Sequence, residues 1–361
     1  MTRYLLAGGG TAGHVNPLLA TADRLMLRAP DSVVLVLGTA EGLESRLVPE
    51  RGYELSVIEK LPFPRRPNLA ALKFPGRFAT MVRGIEAVIR DRGIDVVVGF
   101  GGYVSAPAYL AARRAGVPIV VHEANARPGM ANRLGSWLTR SVAVTFPRTP
   151  LRGARVTGMP LRAEIESIDR AGSRRAGYPA FGLDPTRLTL LVTGGSLGAR
   201  SINETLAAAV PFVLGAGWQV LHISGTRADI AFPTLAGYVV LPYCNRMDLA
   251  IAVADLVVAR AGSSTVSELT ALGVPAVYVP LAIGNGEQRV NARDAVDGGA
   301  AVLVENADFT AEWVADQLLP LLQDRAAIAA MAASATAIGV RDGADRLVDL
   351  IEAAVAGSVL R

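Results

Sequence analysis

Three glycine-rich segments of this sequence have the residue types that bind anions through the backbone. They are Gly8-Gly9-Gly10-Thr11-Ala12-Gly13-His14, Gly99-Phe100-Gly101-Gly102-Tyr103-Val104-Ser105 and Gly194-Gly195-Ser196-Leu197-Gly198-Ala199. Glycine tolerates positive φ and lets N–H groups approach a phosphate, and a helix N-terminus behind the loop adds about half a positive charge. One such loop alone reads equally well as an unliganded strand-to-helix turn. Three at the ends of apolar runs, two in the first half of the chain and one in the second, predict phosphates on both sides of a cleft. His14 ends the first loop, where an imidazole can take a proton from an attacking hydroxyl at neutral pH. The competing role is positioning or binding phosphate. His122 abuts an apolar run and His222 lies inside one, so both read as structural.

Residues 260–268, Arg-Ala-Gly-Ser-Ser-Thr-Val-Ser-Glu, form a further nucleotide-type element. The Glu268 carboxylate can accept from two ribose hydroxyls while backbone N–H groups near Gly262–Thr265 face a diphosphate. Thr265 and Glu268 also have capping-box spacing, so a helix cap without a ligand is the plain alternative. In Asn285-Gly286-Glu287-Gln288-Arg289-Val290-Asn291, Glu287 and Gln288 can bond sugar hydroxyls or form an ordinary solvated first turn. Arg162 can grip phosphate oxygens bidentately or sit in a surface ion pair. Asn125 can bond a donor sugar or an acceptor.

Several chemistries are disfavoured. The chain has no DxD triplet and no GxxxxGK[ST], and it has one cysteine, Cys244, and three histidines. Metal-independent chemistry without a cofactor is therefore expected. An NAD site needs an acid at the end of the second strand of its domain. Those strands end in Gly38-Thr39 and Ser224-Gly225.

The elements that must position these loops are short and apolar. Strands are expected at Tyr4–Ala7, Val33–Leu37, Asp95–Val98, Pro118–Val121 and Val142–Thr145. In the second half they are expected at Leu188–Thr193, Gln219–Ile223, Val239–Leu241, Leu256–Ala259, Ala276–Val279 and Ala301–Val304. Continuous apolar runs fit parallel strands covered on both faces. Amphipathic helices are expected between them, among them Pro17–Arg28, Ala199–Leu214, Glu287–Asp297 and a last one at Asp342–Val355. The pattern restarts near 188, after an Arg-rich stretch of low regularity at 164–187. The fold class is α/β, with two Rossmann-like domains and ligands at the carboxyl ends of their strands, facing across a cleft. The expected domains are 1–160 and 161–341, with a C-terminal helix at 342–361 that can pack back on the first domain.

The chain has 361 residues, 51% hydrophobic and 19% charged, which excludes a disordered protein. Mean hydropathy is +0.35. The longest uncharged stretch, between Glu204 and Arg227, is interrupted by Pro211, Gly215, Gly217 and Gly225, so no membrane span is expected. No signal peptide is expected, and a single cysteine suits a reducing compartment. Residues 1–160 hold 21 Lys+Arg against 11 Asp+Glu, whereas 161–361 hold 15 against 21. The basic half suits an anionic partner. Residues 61–83 combine Arg65, Arg66, Lys73, Arg77 and Arg83 with Leu69, Leu72, Phe74, Phe78 and Met81. At about 1 kcal/mol per basic residue they offer roughly 5 kcal/mol toward an anionic membrane surface. A core or interdomain helix is the plain alternative. Nucleic acid is not expected, because aromatics in series are missing.

The motifs GGGTAGHVNP (8–17), GGYVSAP (101–107), HEAN (122–125), GMPLR (158–162), GGSLGA (194–199), RAGSSTVSE (260–268) and EQRVNA (287–292) together resemble the MurG family of bacterial glycosyltransferases, from end to end of the chain. The resemblance implies a GT-B fold and inverting transfer of N-acetylglucosamine (GlcNAc) from UDP-GlcNAc to the C4 hydroxyl of undecaprenyl-diphospho-N-acetylmuramyl (MurNAc)-pentapeptide. That reaction takes lipid I to lipid II in peptidoglycan synthesis, peripherally at the cytoplasmic face of the cell membrane. It implies donor contacts at Thr11, Ala12, Gly13, Asn125, Arg162, Ser196, Cys244, Ser263, Ser264, Thr265, Val266, Ser267, Glu268, Glu287 and Gln288. Acceptor diphosphate contacts are implied at Gly9, Gly10, Gly101, Gly102 and Tyr103, with His14 as base. Three positions depart from the family pattern. Ala12 replaces a glycine, Glu287 replaces a frequent glutamine, and Cys244 stands where an apolar residue near the uracil is usual. A UDP-GlcNAc 2-epimerase, a natural-product glycosyltransferase or a non-catalytic nucleotide-sugar-binding subunit are the alternatives.

Overall fold

A computed structural model of the chain describes residues 1–62, 64, 69–281 and 286–359, without the side chains of 69–71 and 358–359. The chain divides into two compact units, Met1–Arg162 with Arg341–Arg361, and Ala163–Val340. The first unit runs β1 (Arg3–Ala7), α1 (Ala12–Arg28), β2 (Val33–Thr39), α2 (Glu44–Glu50), β3 (Glu54–Ile58) and α3 (Leu69–Asp91). It continues with β4 (Val96–Gly99), α4 (Ser105–Ala115), β5 (Ile119–Glu123), α5 (Met130–Leu138), β6 (Ser141–Val144) and β7 (Ala154–Val156). Among the described residues these strands form one parallel sheet in the order β3-β2-β1-β4-β5-β6-β7. Leu5 pairs with Leu35 on one side and Val97 on the other, which fixes the register. Tyr4 and Leu6 pack on the side of α1, while Leu5 and Ala7 pack on the side of α3 and α4. Both faces are covered, so the strands carry apolar residues throughout.

The second unit begins with α6 (Ala163–Glu166), α7 (Arg170–Phe181), β8 (Thr189–Thr193), α8 (Arg200–Gly215), β9 (Gln219–Ile223) and β10 (Tyr238–Leu241). Then come α9 (Met247–Val253), β11 (Leu256–Ala259), α10 (Ser263–Ala271), β12 (Ala276–Tyr278), α11 (Glu287–Asn291), α12 (Arg293–Asp297) and β13 (Ala301–Leu303). Last are α13 (Ala311–Trp313), a π-helical turn (Val314–Leu318), α14 (Leu319–Gln323) and α15 (Arg325–Ile338). Its parallel sheet has the order β10-β9-β8-β11-β12-β13. In each unit the order reverses once, between β1 and β4 and between β8 and β11. Ligands of such sheets bind beside that reversal, and the glycine loops after β1, β4 and β8 and the 260–263 segment after β11 flank it.

Where structure and sequence reading differ, the cause is local. The edge strands β3 and β7 were not expected, because they are only partly covered and lack a continuous apolar run. The 164–187 stretch is not irregular, since α7 fills half of it. That helix is held by polar contacts that hydropathy does not register: Arg170 donates to the carbonyls of Ala254, Leu272 and Gly273, and Arg174 pairs with Asp255 at 2.7 Å. Helix α1 starts at Ala12, five residues before the expected Pro17. The expected single helix 287–297 breaks at Ala292 into α11 and α12.

The final helix, α16 (Gly343–Val359), belongs to the first unit. Leu347, Val348 and Ile351 enter the core beside α1. Around them Arg28 contacts Asp345 at 2.6 Å, Asp349 at 2.6 Å and Glu352 at 3.5 Å. These charges reach solvent, so packing dominates the attachment. Ile351→Ala is expected to cost roughly 2–4 kcal/mol, and Asp349→Asn less than about 1 kcal/mol. Urea unfolding of the two variants checks the ranking.

Candidate active site

The first glycine loop is built around a carboxylate. Glu44, fully buried at the start of α2, accepts from Gly10 N at 2.7 Å, Thr39 N at 2.9 Å and Thr39 Oγ1 at 2.8 Å. A Cβ on Gly9 or Gly42 would lie 2.3 Å or 2.0 Å from its carboxylate oxygens, so both positions must be glycine. Burial pushes the Glu44 pKa up, but the Gly10 and Thr39 donors outweigh it and hold the carboxyl below its ordinary value. The group is anionic at neutral pH. Gly10 takes φ 87°, and its N–H is committed to Glu44. The acceptor contact implied for Gly10 therefore does not come from a free amide.

His14 lies in the first turn of α1. Its Nδ1 is 3.2 Å from Gly9 O and 3.3 Å from Thr11 Oγ1. A carbonyl oxygen only accepts, so Nδ1 carries the hydrogen and the lone pair of the neutral ring sits on Nε2. Nε2 lies beside Gly101 of the second loop, where a Cβ would be 3.1 Å away. Gly102 packs on the Gly9 carbonyl, 2.9 Å from where its own Cβ would be, so the two loops touch. Gly101 and Gly102 both take positive φ, and Ser105 Oγ accepts from Gly101 N at 2.9 Å. Tyr103 is exposed. Ala12 needs no positive φ, because no described non-glycine residue adopts it and Ala12 is simply the first helical residue.

A second buried carboxylate shapes the loop after β5. Glu123 accepts from Asn125 N at 2.9 Å, Gly129 N at 3.0 Å and Asn132 Nδ2 at 2.9 Å. Tyr109 donates its hydroxyl to Asn132 Oδ1 at 2.7 Å. The same Asn132 amide nitrogen flanks Gly101. His122 is fully buried with Nε2 3.3 Å from Gly158 O, and burial pulls its pKa down to about 4. His222 is a core residue between Tyr238 OH at 2.7 Å and Asn203 Oδ1 at 3.0 Å, also pulled down to about 4 by burial.

In the second unit, Ser196 sits in an exposed loop before α8. Its carbonyl accepts from Thr226 N at 3.1 Å and Thr226 Oγ1 at 3.2 Å. A cavity of about 230 Å³ lies at the start of α8, lined by Leu197, Arg200, Asn203, Arg227 and Asp229. Arg260, after β11, donates to Val279 O at 3.0 Å, Pro280 O at 3.1 Å, Asn306 Oδ1 at 2.7 Å and Ser201 Oγ at 3.1 Å. It ties the ends of β12 and β13 to α8. Helix α10 starts at Ser263 with Gly262 as its cap, so Thr265 and Glu268 do not form the capping box their spacing suggested. Val266 and Ser267 point into the core, and the Ser264 hydroxyl is buried with no hydrogen-bond partner. Gln288 Oε1 accepts from Leu281 N at 2.9 Å. Glu287, its neighbour, is half-buried in the first turn of α11, while Asn285 lies outside the described residues. Cys244 is buried, which pushes its thiol pKa up and makes it a small apolar contact.

The expected residues thus fall into two groups, one per unit. Thr11, Ala12, Gly13, His14, Asn125 and the first two loops lie on the first unit, which Arg162 ends. Ser196, Cys244, the 263–268 run, Glu287 and Gln288 lie on the second. The positioning roles of Glu44, Glu123, Asn132 and Arg260 were missed. Glu44 follows β2 by five residues, so a search for an acid stopping at Gly38-Thr39 ends just short of it.

Residues 4–144 match the glycosyltransferase family 28 N-terminal domain, and residues 189–347 match its C-terminal domain. The chain is 62% identical over 351 residues, 97% of its length and 98% of the relative's, to a protein of Leifsonia xyli subsp. xyli. That relative is named UDP-N-acetylglucosamine–N-acetylmuramyl-(pentapeptide) pyrophosphoryl-undecaprenol N-acetylglucosamine transferase. The crystal structure of Acinetobacter baumannii MurG superposes with a TM-score of 0.80 at 30% identity, covering 98% of this chain and all of that one. A putative UDP-N-acetylglucosamine 2-epimerase from Listeria monocytogenes has a TM-score of 0.69 at 14% identity, covering 99% of this chain and 97% of that one, a likeness of fold alone. Two family 28 domains in order, on two parallel doubly wound sheets of GT-B type, place the chain in the MurG family of glycosyltransferases.

Proposed function

We infer that this chain is an inverting N-acetylglucosaminyltransferase that moves GlcNAc from UDP-GlcNAc to the C4 hydroxyl of undecaprenyl-diphospho-MurNAc-pentapeptide, making lipid II from lipid I. The observation that carries the chemical role is the His14 tautomer. Its Nδ1–H faces a carbonyl, which leaves Nε2 as a proton acceptor in the space kept open by Gly101. The acceptor oxygen attacks the anomeric carbon opposite the diphosphate and loses its proton to Nε2. The anomeric C–O bond breaks, and its electron pair leaves with UDP.

On the second unit, the start of α8 behind Ser196 offers N–H groups and a helix dipole to the departing diphosphate. The buried Ser264 hydroxyl is an unsatisfied group of the kind a ligand completes. Glu268 and Gln288 serve the nucleotide and sugar hydroxyls, Arg162 a phosphate, and Cys244 the base. With helix N–H groups and a guanidinium as the charge acceptors, the reaction needs no divalent cation. The acceptor is lipid-linked, which favours docking of residues 61–83 on an anionic membrane surface. Lys73, Arg77 and Arg83 are exposed on α3, Val82 and Ile85 anchor it, and Arg65 and Arg66 lie outside the described residues. No described helix is long and apolar enough to cross a membrane.

The test is transfer of labelled GlcNAc to a lipid-linked muramyl acceptor. His14→Ala should lower kcat roughly 100- to 10,000-fold while UDP-GlcNAc binding stays nearly unchanged. Loss of donor affinity alone would reassign the residue. EDTA should leave the rate unaltered, and a chelation loss rescued by magnesium would overturn the metal-independent step. Release of N-acetylmannosamine without acceptor would assign an epimerase. Glu44→Gln puts an amide N–H against the Gly10 N–H, so kcat should fall up to about 100-fold with donor KM unmoved. An unchanged kcat would show that Glu44 does not set His14.

A further inference from the structure

A cleft in the second unit takes no part in the transfer chemistry. It measures about 530 Å³, and every residue that lines it belongs to this unit. That volume lies within the roughly 300–1,000 Å³ of small-molecule sites. Leu188, Asp255 and Pro275 place it at the amino ends of β8, β11 and β12. The loops that carry Ser196, Arg260 and the 263–268 run follow the carboxyl ends of those strands, roughly 15 Å away along a strand. The cleft is open because α7 and α15 line it with Ala171, Ala329 and Ala332, side chains too small to fill the space between the helices.

Its lining joins apolar surface to positive charge. Pro275 and Ile328 are apolar and buried, and three arginines, Arg170, Arg174 and Arg325, stand against one acid, Asp255. Two of the guanidiniums are held by the fold. Arg170 donates to Ala254 O at 2.9 Å and Leu272 O at 3.2 Å, and Arg174 pairs with Asp255 at 2.7 Å and donates to Tyr178 OH at 2.7 Å. Asp255 also accepts from Thr189 N at 2.8 Å, so the one carboxylate of the lining is already engaged. The helix N-termini offer little to an anion, because Asp169 accepts from Ala171 N at 3.1 Å and Asp324 from Ala327 N at 2.9 Å. Arg325 differs from its neighbours. It is the first residue of α15, it is exposed, and its guanidinium donates to no described residue. One guanidinium with donors to spare matches one charge, and its planar fork fits the two oxygens of a carboxylate.

We propose that this cleft is a second binding site, apart from the donor and acceptor loops, for a small carboxylate with an apolar body. The carboxylate pairs with Arg325, and the body lies on Pro275, Ile328 and Ala329.

The probe is phenylbutyrate, compared with its neutral amide by saturation-transfer NMR on the full chain. Phenylbutyrate should bind with a Kd on the order of 1 mM, and the amide about tenfold more weakly. Arg325→Ala should weaken phenylbutyrate about tenfold and bring it level with the amide. Ala329→Leu, which fills the cleft from an exposed helix position, should abolish binding of both. Saturating UDP-GlcNAc should leave the probe bound. Displacement by UDP-GlcNAc, equal binding of acid and amide, unchanged binding in both variants, or no binding at all overturns the proposal. Both variants should keep the urea midpoint of the parent chain. If Ala329→Leu lowers it, Arg325→Ala alone decides. If UDP-GlcNAc itself fails to bind, the transferase reading fails, while the two variants still decide the cleft.

Discussion

The first unit depends on a buried negative charge held by backbone N–H groups and a hydroxyl. The Glu44 carboxylate is stabilised by the Gly10 and Thr39 N–H groups and the Thr39 hydroxyl. Three donors can hold a carboxylate ionised inside a protein, because each replaces a lost water. The consequences propagate by contact. Gly9 and Gly42 are glycine to admit the carboxylate, Gly10 turns its N–H inward, and the Gly9 carbonyl is left to orient His14. As the carboxyl is held below its ordinary pKa, this contribution is present at neutral pH. It is lost only in acid, as pH falls from the ordinary glutamate value through the lowered one.

The second unit solves the same problem with the opposite sign. Arg260 gathers two carbonyls, an asparagine and a serine at the carboxyl end of its sheet. A planar fork can hold four acceptors at once where a point charge cannot. A cation keyed into the loops after β11 and β12 adds positive potential at the carboxyl end of that sheet. The two inside-facing charges therefore act on different loops: one orients a histidine, the other joins the ends of β12 and β13 to α8.

Helix α5 couples the same framework to the surface. Its inner residues are small or polar because Asn132 must reach Glu123 and Tyr109, and Gly135 must clear Tyr109. Its apolar residues Met130, Leu134 and Trp137 are consequently turned to solvent. Loop geometry and outward stripe are two faces of one helical repeat.

The apolar runs by themselves determined the central strands of both sheets, since burial on two faces demands them. Gln219–Ile223 and Leu256–Ala259 were legible to the residue. Glycine spacing located the loops, and the motif order located the family. Edge strands, the polar-held α7 and the break at Ala292 were not legible, because hydrophobic period carries no record of partial burial or of arginine-to-carbonyl bonds. Nor could spacing show that Glu44 fills the first loop, that Gly262 rather than Thr265 caps α10, or which nitrogen of His14 is basic. Those depend on which donors and acceptors meet across tens of residues, and only the folded chain brings Gly10 to Glu44 and Gly101 to His14.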